Sequence, residues 1–152
     1  MISAWDNYPS NQFPGLWEWM SERMMSGEFR MSRVASDEVK HKTPECGQWL
    51  KDHDVTLLPI SPDTLLEAHR IKGLLGIDEE DYHVKGVNEN DLLIIATARL
   101  SGSDLVSDEA RQFSKPKDLR KRKIPAVCEM ETIEVQCLSF LELIKGYGAV
   151  FR

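Results

Sequence analysis

The chain has 152 residues, 41% of them hydrophobic and 29% charged, with a formal net charge of −6. That length suits one domain over 1–152 that buries a core without disulfide staples, and the composition excludes a disordered chain. The acidic balance excludes a surface built wholly for nucleic acid.

In chain order, Phe13, Leu16, Trp17, Met20 and Met24 recur at helical spacing, with Pro14 placed for a first turn and Gly27 for a stop. Phe29 to Ser32 reads as a short strand, and Ser32 or Ser36 as the cap of a helix carrying Val34, Ala35, Glu38 and Val39. Pro44 opens a helix through Trp49 and Leu50. Val55 to Ile60 is an apolar run of strand length, after which Ser61-Pro62-Asp63 opens a helix with Leu65, Leu66, Ala68, Ile71, Leu74 and Leu75. Residues 76–88 form a polar loop. A helix from Asp91, apolar on nearly all sides and therefore central, leads to a strand at Leu105-Val106. A charged, exposed linker covers 112–123. Ile133, Val135 and Cys137 alternate as in a strand, and Ser139-x-x-Glu142 is a capping box for a last helix that Gly146 would end. Helices alternating with short apolar strands predict an α/β layer architecture around a parallel sheet.

Cys46, Cys128 and Cys137 are odd in number and lack zinc-ligand or redox spacing, which reads as reduced, mostly buried thiols in a cytoplasmic protein. No apolar run approaches the ~20 residues of a membrane span, and no signal-peptide pattern opens the chain.

The acids carry the most chemistry. A helix beginning at Asp91 and a strand ending at Asp108 would place both carboxylates on one edge of a parallel sheet. Glu38 is the third candidate, with Glu109 and Glu89 as auxiliaries. Two carboxylates in close contact repel by about 4 kcal/mol at an effective dielectric near 20, which a shared divalent cation offsets. Hard oxygen donors around an open cleft suit Mg2+ or Mn2+, and two such ions can align a water with a phosphodiester. Each acid also has a structural reading. Asn88 with Asp91 makes a helix N-terminus, Asp108 can cap a helix beginning at Glu109, and Glu38 can pair with Lys42.

The order and surroundings of these acids resemble the PIN-domain nucleases. Asp91-Leu-Leu-Ile-Ile-Ala-Thr-Ala98 and Leu105-Val-Ser-Asp108 resemble that family's third and fourth acidic motifs, and Glu38 in Ser-Asp-Glu-Val39 its second. Phe13-Pro-Gly-Leu-Trp-Glu-Trp19, Asp37-Glu38-Val39 and Arg120-Lys-Arg-Lys-Ile-Pro-Ala-Val-Cys128 resemble an uncharacterised bacterial PIN-like subfamily. The resemblance implies a three-layer fold with a central, mainly parallel sheet flanked by helices. It also implies a magnesium- or manganese-dependent endoribonuclease, often the toxin of a VapC-type toxin–antitoxin pair. Glu38, Asp91 and Asp108 would be its catalytic metal ligands, RNA its substrate, and an antitoxin or a second copy of the chain its protein partners. PIN proteins begin with a central strand that ends in their first aspartate, whereas Met1-Ile-Ser-Ala-Trp-Asp6 resembles the helix after that strand. Two explanations stand: a start codon assigned too far downstream, or a shortened copy that is inactive and retained to bind RNA or an antitoxin.

Lys115, Lys117, Arg120, Lys121, Arg122 and Lys123 face only Asp118 in their stretch. As a functional feature, Arg120, Lys121, Arg122 and Lys123 form a phosphate-contacting rim; as a structural one, they form a solvated loop. Trp17 is expected in the core, Trp5 and Trp49 in packing, and Trp19 off the apolar stripe. The four histidines read as surface or hydrogen-bonded residues.

Overall fold

The structure is a computed structural model describing residues 1–152. Its contacts divide the chain into two compact units, Met1–Pro59 with Gly148–Arg152, and Ile60–Tyr147.

The first unit runs α1 (Ile2–Asn7), α2 (Pro14–Met25), β1 (Arg30–Ser32), α3 (Arg33–Lys42), α4 (Pro44–Asp52) and β2 (Thr56–Leu58). Pro14 lies in the first turn of α2, where a missing N–H costs nothing. The helix gives way at Gly27, whose φ of 78° favours a residue without Cβ. Ser32 rather than Ser36 caps α3, its Oγ accepting from Ala35 N at 3.1 Å. β1 and β2 pair in parallel, with Arg30 opposite Thr56 and Ser32 opposite Leu58. The strand expected over Val55–Ile60 is confined to three residues. Asp54 turns the backbone at φ 51° just before it, and Pro59 has no N–H to continue the ladder. Trp17 is buried at the centre of an aromatic group, edge-on to Trp5 at 5.1 Å and to Trp49 at 4.9 Å, and its Nε1 donates to Tyr8 O. Trp19 is half-buried between the rings of Phe29 and Phe151.

The second unit runs α5 (Pro62–Leu74), α6 (Glu89–Ser101), β3 (Leu105–Val106), a single 3-10 turn (Leu119–Lys121), α7 (Ile124–Cys128), β4 (Cys137–Leu138) and α8 (Phe140–Tyr147). Ser61 and Thr64 form a reciprocal capping box on α5, Asn88 and Asp91 one on α6. Leu92, Ile95, Ala96 and Ala98 of α6 are buried against Ala68, Ile71 and Leu75 from α5 and its end, in a cluster completed by Ile124, Val127, Cys128, Ile133 and Val135. Full burial of a side chain such as Ile95 contributes about 1.5–3 kcal/mol, so α6 is held by packing rather than by propensity. Gly102, at φ 63°, ends it, and Ser103 N returns to Ala98 O.

β3 pairs with β4 in parallel through Leu105 N to Gln136 O and Ser107 N to Leu138 O, both 2.9 Å. The alternation of a parallel ladder turns the N–H and C=O of Val106, between them, away from β4. The molecule is thus mixed α/β with parallel strands, but the strands form two separate pairs where one central sheet is expected from the sequence.

Three local expectations are corrected. Ile133 and Val135 are buried and Glu134 and Gln136 exposed, as in a strand, yet only Cys137–Leu138 pairs. Glu134 adopts φ 50°, and the N–H groups of Ile133 and Glu134 both bond Met130 O, so the alternation arises in a turn. α8 passes through Gly146 and stops at Gly148, which has the left-handed φ of 59°. The 112–123 linker is structured at its end. Gln112 donates to Lys121 O at 3.1 Å and accepts from Lys123 N at 2.8 Å, and residues 118–123 are half-buried.

Candidate functional site

Acids gather at helix starts in the second unit. Asp91, half-buried at the third position of α6, accepts from Asn88 N through Oδ2 at 2.9 Å while Asn88 Oδ1 accepts from Asp91 N at 3.0 Å. Asp108 follows β3, and its Oδ1 accepts from Phe140 N, the first residue of α8, at 2.8 Å. It therefore caps a helix 32 residues away and not one beginning at Glu109. Glu109 is also a cap: its Oε2 accepts from Ile124 N at the start of α7, at 2.9 Å. Ser139 and Glu142 form the expected box on α8. These carboxylates sit where unpaired N–H groups and the positive end of the helix dipole favour negative charge.

Asp108 is exposed to solvent beyond the oxygen that caps α8.

Glu38 belongs to the first unit, half-buried on α3 beside the buried Val39. No three Asp, Glu, His or Cys side chains are grouped as metal donors anywhere in the chain. The donor set thus does not fit a resident Mg2+ or Mn2+ as the side chains stand. Asp91 and Asp108 each give one oxygen to a helix N-terminus, and neither belongs to a group of three donors. Asp6 lies exposed in α1.

The basic segment is partly neutralised from within. Arg120 pairs with Asp81 at 2.6 Å and with Asp118 at 3.1 Å, and its contacts with Asp118 above all hold the guanidinium charged and the Asp118 carboxyl below its ordinary range. Lys115 pairs with Glu129, and Arg122 Nε donates to Pro116 O. Lys121, Arg122 and Lys123 enter no ion pair. The segment is fixed by a close backbone approach: a Cβ on Gly86 would lie 1.8 Å from Arg120 O, and Val87 N donates to Arg122 O at 3.0 Å.

Two further groups escaped sequence reasoning. Glu67, its side chain 10% exposed, binds Arg70 and Arg99 and so joins α5 to α6; the Arg70 hydrogen bonds hold its carboxyl below the usual range. An (i, i+3) spacing exposes the first pairing in sequence, but nothing local signals Arg99. Cys128 of α7 and Cys137 of β4 enter one apolar cluster, with no spacing to suggest it. The helix α7 itself is signalled by Pro125 in its first turn.

A family model described as a domain of unknown function (DUF4411) matches residues 1–151, and the chain belongs to that family. No curated protein matches the chain.

Proposed function

We propose that this member of the family is a PIN-like domain acting on RNA, as an endoribonuclease dependent on magnesium or manganese and working as the toxin of a toxin–antitoxin pair. The observation that carries the reading is the α6–β3 return, an acid in the first turn of a buried helix and another just past a parallel strand, in the order that the PIN resemblance implies. The three-layer PIN sheet belongs to the same proposal: each strand pair has unpaired edges, and Val106 offers its N–H and C=O on one of them. In this reading Asp91 and Asp108 are the acids of the site in the second unit, and Lys121, Arg122 and Lys123, with Arg120, contact phosphates. Because the donors are not grouped, no catalytic step is routed through an ion here.

A nuclease assay on labelled RNA, with manganese and with chelator, tests the reading on the chain from Met1 and on a version extended upstream. Manganese-dependent cleavage that Asp91→Asn abolishes is the expected result. The amide oxygen that this substitution introduces keeps an acceptor for Asn88 N, so the fold should survive. Undiminished cleavage by that variant removes Asp91 from the mechanism, and absence of cleavage from both versions removes the nuclease.

A second reading has its own observation. Asp91 and Asp108 are both engaged as helix caps, a role that suffices to explain them in a non-catalytic module that binds RNA or an antitoxin. Thermal stabilisation by millimolar magnesium or manganese separates the two, since a module without a site gains nothing from the ion.

A further inference from the structure

Cys128 and Cys137 are separated by eight residues, Glu129 to Gln136, that fold back on themselves. Val135 N donates to Cys128 O at 3.0 Å, and Leu105 N holds Gln136 O at 2.9 Å, which fixes both ends of the turn. Cys128 is fully buried at the end of α7; Cys137 packs against the same apolar cluster from β4 but remains half-exposed. The helix α7 and the strand β4 pack against each other, so the two side chains enter that cluster from adjoining elements. Arg111 reaches the backbone of Cys137, its guanidinium donating to Cys137 O at 3.0 Å and to Glu142 Oε2 at 2.9 Å, with Glu129 at 3.8 Å.

We propose that Cys128 and Cys137 are a peroxide-responsive thiol pair that closes to an intramolecular disulfide. The asymmetry of the pair assigns the roles. The neighbouring Cys128 thiol and the Arg111 charge favour the Cys137 thiolate, against burial and the nearby Glu109 and Glu142 carboxylates. Cys128, the more buried thiol, keeps its proton. Thiolate character and access select the site of oxidation, so hydrogen peroxide meets Cys137 first. The Cys137 sulfur attacks one peroxide oxygen; the O–O bond breaks, hydroxide leaves, and a sulfenic acid forms. The Cys128 sulfur then attacks the Cys137 sulfur, the S–O bond breaks, and the hydroxyl leaves as water with the Cys128 proton. Two thiols are oxidised and one peroxide is reduced to two waters. In a reducing compartment such a bond is transient and signals oxidation.

The test uses the intact chain, exposed to hydrogen peroxide, denatured, alkylated, and digested after glutamate. Cleavage at Glu129, Glu131 and Glu134 separates the two cysteines, so a peptide joining Cys128 to Cys137 identifies the bond by mass. Cys46 is the internal control: buried, with its thiol pushed up to about 11, it should stay reduced. Before oxidation, Cys137 should alkylate at least ~10-fold faster than Cys46 at neutral pH. In a Cys128→Ser variant that melts cooperatively, Cys137 should accumulate as a sulfenic acid trapped by dimedone. If that variant does not fold, the linkage in the intact protein decides. Recovery of both cysteines alkylated, or of Cys137 over-oxidised beside a reduced Cys128, overturns the proposal.

Discussion

Replacing Gly86 by Ala is expected to displace the basic segment and weaken the second unit. The added Cβ would stand 1.8 Å from Arg120 O, 2.7 Å from its carbonyl carbon and 3.1 Å from Lys121 Cα. Carbon and oxygen ordinarily approach no closer than about 3.3 Å, so the Arg120 backbone must retreat by roughly 1.5 Å. That atom is main chain, and Gln112 clamps the same turn at Lys121 O and Lys123 N, so no side chain can swing aside. The retreat breaks the bond from Val87 N, in a residue 1% exposed, to Arg122 O. A buried N–H left unsatisfied costs about 1–3 kcal/mol and overpacking a similar amount, giving a loss of about 2–6 kcal/mol. For a chain of this size that lowers the melting temperature by roughly 5–25 °C. Thermal melting gives the size of the loss, and hydrogen exchange at the Val87 amide its location. A variant that melts within about 1 °C of the parent, with Val87 still protected, would refute the close approach.

Two other substitutions probe the acids. Asp108→Ala should cost about 1–2 kcal/mol by uncapping α8, whereas Asp108→Asn, which keeps an acceptor for Phe140 N, should cost less than half of that. Urea denaturation of both variants is the check; equal losses would mean that the charge and not the hydrogen bond holds the cap. Glu67→Gln should destabilise the protein at neutral pH by weakening the contacts to Arg70 and Arg99. The Glu67 carboxyl sits below its ordinary 4.5 in the folded chain, so its contribution is present above 4.5 and is lost as pH falls through the lower, folded-state value. The gap between parent and variant should therefore close on acidification; a gap that persists would place the contribution outside the ion pair.

Legibility in the sequence followed the range of the interaction. Ser61 with Thr64, Asn88 with Asp91, and Ser139 with Glu142 are reciprocal bonds over three residues, so the starts of α5, α6 and α8 were readable, given in each case the apolar pattern that follows. Strand extents were not. The apolar run 55–60 and the alternation 133–137 satisfy a strand pattern, while Asp54, Pro59 and Glu134 decide how little of it pairs.

The sequence by itself determined that helices alternate with short parallel strands, and it singled out Glu38, Asp91 and Asp108 only as candidates. Tertiary structure alone decided what those acids touch: Asp108 holds a helix start 32 residues on, and Glu109 one 15 residues on. It alone set Gly86 against Arg120 and brought Cys128 and Cys137 into one apolar cluster. A local bond is encoded in the spacing of its partners. A distant one exists only once the chain has turned, packed its apolar faces and brought remote backbone to the same place.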